Sequence, residues 1–490
     1  SASSQIGAQR RRRSTLLDRT IRRLPPPREG KAMLDRLIGL LVLAVLLAVV
    51  LRSLAAGLIQ RPQRGVLLLA ALAPFNGLLL LVPHPGVVNG WKEALVVCVL
   101  ASTLLAPPGA RAASPIAVPG WVPAAVGLVV LGLASAAFVA PTQAAVGLKI
   151  DFFYLLLPIV LLRCPLSAAE RDRLVSILMG TGVLTAAYGV AQQIIGAARL
   201  SSWGYEYNTT IRTAGSTLRS FSSFNQPFGF GLFEMVVLLV ALPVALSELS
   251  RTRNRIFLAM TPLILLGLLS SIVRAAIAGL LVGGFFLWLH RYRVLSHAVP
   301  PALVALVLLP PALFATLLSP SSLGERSAGW TETFGRVLSA PFGNGIGATG
   351  SAAEKVARVS GRVGSTYQPD NYYFKTVFEL GPLGLWLFVL LLISAGLLGL
   401  AASRRLGKSA SASAPERRDA ALAAGFAASV VAAAAASTVA TYFEIFPLDL
   451  LFWLLLGVVS SLPTGSASPL SPCDPRAAGS RPTSESSSTP

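Results

Sequence analysis

A succession of apolar runs, each close to the length of a membrane span, constrains this chain more than any other feature. A helix needs about 20 residues to cross the hydrocarbon core of a bilayer. The runs are continuous in Leu, Ala and Val, without the alternation of a transmembrane barrel. They predict an all-α polytopic membrane protein. The runs lie at about 37–59, 65–83, 91–107, 121–140, 145–162, 174–197, 227–247, 256–272, 275–290, 298–318, 382–402, 420–440 and 443–461.

Basic residues in short loops predict the orientation of these spans, because cytoplasmic loops carry an excess of Lys and Arg. Four basic loops agree with one another, and they place 198–226 and 319–370 outside the cytoplasm. Counting back through every early run puts the basic N-terminus outside, so one run within 37–107 is not expected to span. We therefore predict about 12 spans with both ends inside. The basic loops hold Arg163, Arg171 and Arg173; Arg251, Arg253 and Arg255; Arg291 and Arg293; and Arg404, Arg405, Lys408, Arg417 and Arg418.

The longest stretch outside the apolar runs lies before the last three spans. Loops of this length are usually functional or disordered, and its retained aromatic residues favour an ordered loop that carries chemistry. The predicted segments are a basic flexible cytoplasmic arm (1–36), the first transmembrane part (37–318), a long extracytoplasmic loop (319–370), a re-entry helix with the last spans (371–461) and a disordered cytoplasmic tail (462–490).

The net charge of +20 fits a membrane protein better than a nucleic-acid-binding protein. The charge lies in the short loops and the N-terminal arm, where it would meet an anionic inner leaflet. Only 13% of the residues are charged, against about 25% in soluble domains. The three Cys lack metal-ligand spacing and only three His exist, so we expect no metal, no cofactor and no disulfide.

Three arginines fall in segments that the topology places outside, where the positive-inside rule disfavours them. Arg212 and Arg219 lie in the loop before the run at 227–247, and Arg274 lies between two adjacent runs. Two guanidinium groups facing one pocket suit a phosphate or pyrophosphate, which arginine grips with two hydrogen bonds. The simpler alternatives are a structural ion pair for Arg274 and a solvated loop charge for Arg219.

The re-entry after the long loop holds a second set of candidates. Asp370 follows a proline and precedes an apolar helix, so it is either the N-cap of that helix or a general base at the membrane surface. Asn371, Lys375 and Glu379 would share one helix face, as an internal polar stripe or as a pocket wall. Tyr372 lies beside them as a further substrate contact.

Two other patterns have simpler interpretations. Gly345, Gly347 and Gly350 match a dinucleotide-binding spacing, but no strand precedes them and they lie on the wrong side of the membrane. We expect these glycines to form tight turns over the pocket. Gln192 and Gln193 are candidates for contacts to sugar hydroxyls.

The order of these elements resembles the bacterial O-antigen ligase and Wzy-type polysaccharide polymerase superfamily, over about 146–459. The likeness extends to about a dozen spans and a long outer loop before the last few. Two departures are Asp370, where the family has His, and Val273, where it has Ser. The three signatures are carried by Arg219, Ser222, Phe224 and Pro227; by Arg274 and Gly279; and by Pro341, Gly343 and Gly345 followed by Asp370, Asn371, Tyr373, Phe374, Glu379, Gly381 and Gly384.

The resemblance implies a metal-independent glycosyltransferase in the bacterial cytoplasmic membrane. A glycan on an undecaprenyl-pyrophosphate-type lipid would be the donor, and a hydroxyl of a glycan or lipid would be the acceptor. Arg219 and Arg274 would bind the pyrophosphate, and Asp370 would deprotonate the acceptor, with Glu379 as the substitute base. Other polysaccharide-assembly proteins are the expected protein partners, and ligase and polymerase remain open.

Two other classes of function stay open. A transporter or flippase would show internal repeats and charges near mid-span, whereas this sequence shows no internal repeat and the topology predicts its unusual charges at the outer surface. A non-catalytic export scaffold would tolerate Lys in place of Arg219 and Arg274, whereas bidentate phosphate binding would not.

Overall fold

Helices account for most of the chain that the structure describes. A computed structural model describes residues 61–81, 90–105, 118–290, 342–361, 369–407 and 413–463. The chain divides into two compact units, Ser1–Gly57 and Leu58–Pro490, and every described residue belongs to the second. The helices are α1 (Pro62–Leu72), α2 (Trp91–Leu105), α3 (Val122–Ser135), α4 (Pro141–Phe152), α5 (Leu156–Arg163), α6 (Ala168–Ile195), α7 (Ala197–Ser202), α8 (Pro227–Ser247), α9 (Thr252–Ser270), α10 (Arg274–His290), α11 (Gly350–Val359), α12 (Tyr372–Gly407), α13 (Ala414–Ala436) and α14 (Leu448–Ser460).

Shorter elements complete the described chain. Four 3₁₀ segments cover Ala73–Leu81, Ala136–Phe138, Phe153–Leu155 and Tyr442–Glu444. Strands β1 (Arg212–Ala214) and β2 (Thr217–Arg219) form an antiparallel hairpin, which the all-helical prediction did not include.

Seven helical segments within these ranges are long and apolar enough to cross a membrane. Three shorter apolar helices accompany them, so the predicted class of helical membrane protein is confirmed. The number of spans stays a prediction, because the runs at 37–59 and 298–318 lie outside the described residues. The seven segments are Pro62–Leu81, Pro141–Arg163, Ala168–Ile195, Pro227–Ser247, Thr252–Ser270, Tyr372–Gly407 and Ala414–Ala436.

Helices α8 and α13 form the centre of the bundle. The most apolar part of α8 is 89% buried and that of α13 is 83% buried, whereas the corresponding parts of the other five segments are at most half buried. Small residues allow this packing, as is usual between helices in membranes. A Cβ added at Gly425 would meet the backbone of α8, and one added at Gly283 would meet the Ala428 carbonyl.

The helix bundle has two chemically different ends. The end against which the β1–β2 hairpin packs is called the hairpin end. Helices α6, α9 and α13 end there, whereas α8, α10 and α12 begin there. The antiparallel packing shows this: Gly189 lies against Phe230, Gly279 lies against Ala432, and the Tyr372 amide donates to the Ser437 carbonyl over 2.9 Å. The β1–β2 hairpin caps this end, since the Ser220 amide donates to the carbonyl of Ser270, the last residue of α9.

The opposite end, named here the basic end, is tied together by arginine–carboxylate pairs. Arg171 of α6 binds Asp419 of α13 through two hydrogen bonds, of 2.9 and 2.5 Å. Asp172 accepts from Arg251 and Arg253 and pairs with Arg418 at 3.0 Å. Three of the four basic loops that were predicted to share one side therefore share one end of the bundle. The face of the membrane to which this end belongs stays a prediction.

The described part of the long loop contains structure that the sequence did not reveal. Of the predicted segment 319–370, only 342–361 and 369–370 are described, and they include the amphipathic helix α11. Its Ala352, Ala353 and Ala357 are buried. Helix α12 begins at Tyr372, ten residues before the predicted run at 382–402, and contains a break at Gly381.

Candidate functional site

The hairpin places two predicted arginines side by side at the hairpin end. Arg212 of β1 is the register partner of Arg219 of β2, and Gly215 makes the tight turn between them with a φ of 60°. The Arg219 guanidinium lies 5.1 Å from the centre of the Phe228 ring, at the start of α8. This cation–π contact holds the Arg219 side chain against the mouth of the bundle.

Arg274 begins a helix directly beside this hairpin. The Arg219 Nε donates to the Ser271 carbonyl over 3.3 Å, and Ser271 lies in the turn that leads into α10. The turn is tight, with Ile272 at a φ of 54° and the Val273 amide donating to the Ser271 hydroxyl. The structure thus places the segment that holds Arg219 against the turn that leads to Arg274, and a shared anion pocket of the two arginines stays a prediction.

Gln192 and Gln193 support the arginine loop through their amide groups. The Gln192 Oε1 accepts from the Phe221 and Ser222 amides, at 3.0 and 2.7 Å. The Gln193 Nε2 donates to the Leu218 carbonyl over 2.8 Å. The predicted contacts to sugar hydroxyls are therefore replaced by contacts that fix the loop on the last turn of α6.

Asn371, not Asp370, is the N-cap of α12. The Asn371 Oδ1 accepts from the Tyr373 and Phe374 amides, at 2.9 and 3.1 Å. Its Nδ2 donates to the Thr438 carbonyl, which fastens the helix start to the end of α13. The prediction that Asp370 caps this helix is wrong by one residue, and Asp370 itself is exposed. A carboxylate that does not cap the helix can accept a proton from another group.

Lys375 lies at the centre of a buried cluster of charges one turn farther into α12. Its Nζ lies 2.9 Å from Asp151 Oδ1, 3.0 Å from Glu379 Oε2 and 3.3 Å from Glu444 Oε1. The Tyr372 hydroxyl donates to Asp151 over 3.4 Å. The exposed fraction of these four charged side chains is 7% or less. The shared face of Lys375 and Glu379 is thus an internal polar surface.

The glycine-rich segment before α11 docks onto this cluster. The Thr349 amide donates to Glu379 Oε1 over 3.1 Å, and the Ser351 amide donates to Glu444 Oε1 over 3.3 Å. Carboxylates are favoured at such helix starts, because the first amides of a helix lack partners within it. The predicted tight turns are confirmed, with positive φ at Gly343, Gly345, Gly347 and Gly350.

The break in α12 supplies further partners for this segment. Gly381 has a φ of 70° and a ψ of −176°, outside the helical region. The Phe378 and Glu379 carbonyls before the break accept from the Asn344 and Gly345 amides, at 2.8 and 3.0 Å. The break leaves these carbonyls without partners in the helix, so the kink provides the acceptors that the docked loop uses.

The cluster borders a small cavity of about 40 Å³, which is lined by Asp151, Tyr372, Lys375 and Glu379 on one side and by apolar side chains on the other. This volume exceeds the 10–15 Å³ or so that a water molecule needs. Burial raises the pKa of the Glu444 carboxyl, and nearby Lys375 opposes that rise.

Sequence reasoning missed two members of the cluster, Asp151 and Glu444. A signal was present, because each is an acidic residue within a predominantly apolar run, and such residues are costly unless they have a partner or a function. Glu234 in α8 has the same signature: it is fully buried and accepts from the Thr185 hydroxyl over 2.6 Å. Nothing in the sequence indicated which of these charges would meet Lys375.

No protein-family model matches this chain, and no curated protein matches it significantly. The function of the chain is therefore inferred from its residues and their geometry.

Proposed function

We propose that this chain is a glycosyltransferase of the bacterial cytoplasmic membrane. It would transfer a glycan from an undecaprenyl-pyrophosphate-type carrier to an acceptor hydroxyl of a glycan or lipid at the outer face. The observation that carries the proposal is the joining of the Arg219 strand to the Arg274 turn through the Ser271 carbonyl. A lipid pyrophosphate bound at this end would have its tail in the bilayer and its charge beside two guanidinium groups.

The surroundings of these arginines also favour an anion. Helices α8, α10 and α12 all begin at the hairpin end, and helix N-termini carry partial positive charge. Arg212 adds a third guanidinium in register with Arg219. Exposed apolar side chains on α10, such as Leu281 and Phe285, offer a surface for lipid tails.

The reaction assigns one step to each group. The Asp370 carboxylate accepts the proton of the acceptor hydroxyl, and the oxygen attacks the anomeric carbon of the donor. The bond from that carbon to the phosphate oxygen breaks, and its electron pair leaves with the lipid pyrophosphate. Arg219 and Arg274 stabilise the charge that develops on this leaving group. This chemistry applies equally to a ligase and to a polymerase.

Transport of a lipid-linked glycan is the second candidate. The topology predicts the unusual charges at the outer surface, which speaks against a transporter, but Lys375 and Glu379 are buried within a candidate span. Buried ionisable groups of this kind also occur in transporters. A transporter would need these charges and would not need Asp370 as a base.

Complementation separates these functions. The gene is deleted and restored with wild type, Arg219→Ala, Arg274→Ala or Asp370→Ala at matched membrane levels, and lipid-linked and surface glycans are quantified. We expect each variant to accumulate lipid-linked donor and to lose mature glycan. Arg199→Ala, which removes an exposed arginine of α7 at the same end, is the control and should behave as wild type. Normal surface glycan with all three variants would contradict the proposal.

A further inference from the structure

The buried cluster around Lys375 contains more negative than positive charge. Asp151, Glu379 and Glu444 supply three carboxyl groups, and Lys375 supplies one ammonium group within 3.3 Å of each. Three minus one leaves two carboxyl charges in excess if every group is ionised. Such charges are rarely left uncompensated in a protein interior, because desolvation favours the neutral form.

Other groups that face the cluster compensate for only part of this excess. Tyr372 donates a hydroxyl hydrogen bond to Asp151, and the loop before α11 contributes only the backbone amides of Thr349 and Ser351. Lys355 of α11 interacts electrostatically with Glu444, but the Lys355 side chain is exposed. Even if Lys355 is counted as a full positive charge beside Lys375, the three carboxyl groups of the described cluster exceed the two ammonium groups by one.

The hydrogen bonds distinguish the three carboxyl groups. Asp151 accepts two hydrogen bonds from the Lys375 ammonium, each of 2.9 Å. Its negative charge is therefore the one that Lys375 compensates most directly. Glu444 accepts from the amide and hydroxyl of Ser351. In Glu379 the Oε1 accepts from Thr349, but the Oε2 lies 3.0 Å from Lys375 Nζ without forming a regular hydrogen bond. Glu379 is also the only one of the three whose side chain is fully enclosed, at 0% exposure.

We propose that the Glu379 carboxyl is a proton-binding site, occupied in the resting protein and enclosed by the Asp151–Lys375 ion pair and Glu444. The ligand is a proton and not a metal cation, because the Lys375 ammonium occupies the position between the carboxylates that a cation would need. The cavity beside the cluster has room for water, which gives the proton a polar neighbour to exchange with. The inference concerns the resting protein and holds whether it transfers or transports glycans.

The proton is also linked to the loop. The Thr349 amide donates to the Oε1 of the same carboxyl, and the Gly345 amide donates to the Glu379 backbone carbonyl. Ionised Glu379 would bind the Thr349 amide more strongly than neutral Glu379, because hydrogen bonds to charged acceptors are stronger. Proton release from Glu379 would therefore tighten the attachment of the segment before α11.

Infrared spectroscopy of the purified full-length protein in lipid nanodiscs tests the proposal. A protonated carboxyl gives a carbonyl stretching band that a carboxylate lacks, and the band shifts in heavy water. We expect Glu379→Gln to lose one such band at neutral pH. Glu354→Gln, which changes an exposed residue of α11, should keep every band, and Glu234→Gln should keep the band assigned to Glu379. An unchanged band set in Glu379→Gln would overturn the proposal.

Thermal unfolding of the same variants provides the second readout. Glutamine reproduces a neutral carboxyl in size, so Glu379→Gln should melt at the wild-type temperature. Asp151→Asn removes the charge that pairs with Lys375 and should melt lower. A Glu379→Gln protein that melts as low as Asp151→Asn, or that does not fold, would contradict the proposal, because it would mean that the ionised carboxylate is required. Neither readout depends on glycan transfer.

Discussion

At the scale of single residues, the most consequential position is Lys375. It is the shared cation of three carboxyl groups that come from three separate parts of the chain. A buried ion pair contributes little net stability when it is intact, but breaking it leaves an uncompensated charge. The exposed Arg358–Glu354 pair of α11 is the opposite case, because water already solvates both partners.

Replacement of Lys375 by Met should therefore cost about 3–5 kcal/mol in free energy of unfolding. Arg358→Ala should change that free energy by about 0.5 kcal/mol or less, since exposed helical pairs contribute little. Reversible unfolding in mixed micelles measures both variants. Equal stabilities for Lys375→Met and Arg358→Ala would show that the cluster does not depend on its ammonium.

Asp370 and Asn371 show what the sequence predicted and what it did not. The pattern identified a capped helix start after Pro369, and the cap is indeed present. The two neighbours carry similar short polar side chains, and only the fold determines which of them points back along the helix. The same limit applies to Asp151 and Glu444, since their meeting with Lys375 depends on packing between distant helices that local patterns do not encode.

At the scale of elements, two neighbouring residues at the start of α12 have different roles: Asn371 is structural, and Asp370 is the proposed base. Asn371→Ala removes the cap and the contact to Thr438, so it should lower the free energy of unfolding by about 1 kcal/mol. Asp370→Ala should leave stability unchanged but abolish glycan transfer. Unfolding and complementation measured on both variants check this. If Asp370→Ala lost as much stability as Asn371→Ala, Asp370 would also stabilise the start of the helix, and its loss of activity could not be assigned to a chemical role.

The elements of the long loop were beyond sequence reasoning for a different reason. Helix α11 is short and its buried face consists of alanines, so it lacks the apolar stripe of large residues that identifies an amphipathic helix. The kink at Gly381 was equally hidden, since a Gly-Pro pair within an apolar run fits either a helix start or a break. The apolar helices themselves were predictable because their length is set by the bilayer.

At the scale of the whole molecule, the two ends of the bundle predict a topology. The basic end gathers Arg171, Arg251, Arg253 and Arg418, so the positive-inside rule assigns it to the cytoplasm. The hairpin end would then face outward. This assignment is independent of the count of spans, because it depends on where the described helices begin and end.

Cysteine labelling tests this topology. The native Cys residues are replaced by Ala, and a single Cys is introduced as Ser216→Cys or Arg173→Cys. Ser216 is exposed in the hairpin turn, and Arg173 is exposed at the basic end. A membrane-impermeant maleimide applied to spheroplasts should label Ser216→Cys, and should label Arg173→Cys only after permeabilisation. The reverse pattern would place the proposed site in the cytoplasm and exclude an outward-facing transferase.

The shared ammonium also constrains how the chain is assembled during synthesis. Asp151 precedes Lys375 by 224 residues, whereas Glu444 is synthesised after it. Lys375 therefore shares its helix with only one of the three carboxyl groups, that of Glu379 one turn farther along, and its ion-pair partner Asp151 lies on a helix that is synthesised much earlier. The loop helix α11 leaves the ribosome before both carboxylates that hold its start. The Thr349 contact needs only α12, whereas the Ser351 contact also needs Glu444, which follows α13; the start of α11 therefore has both partners only once the chain beyond α13 is in place.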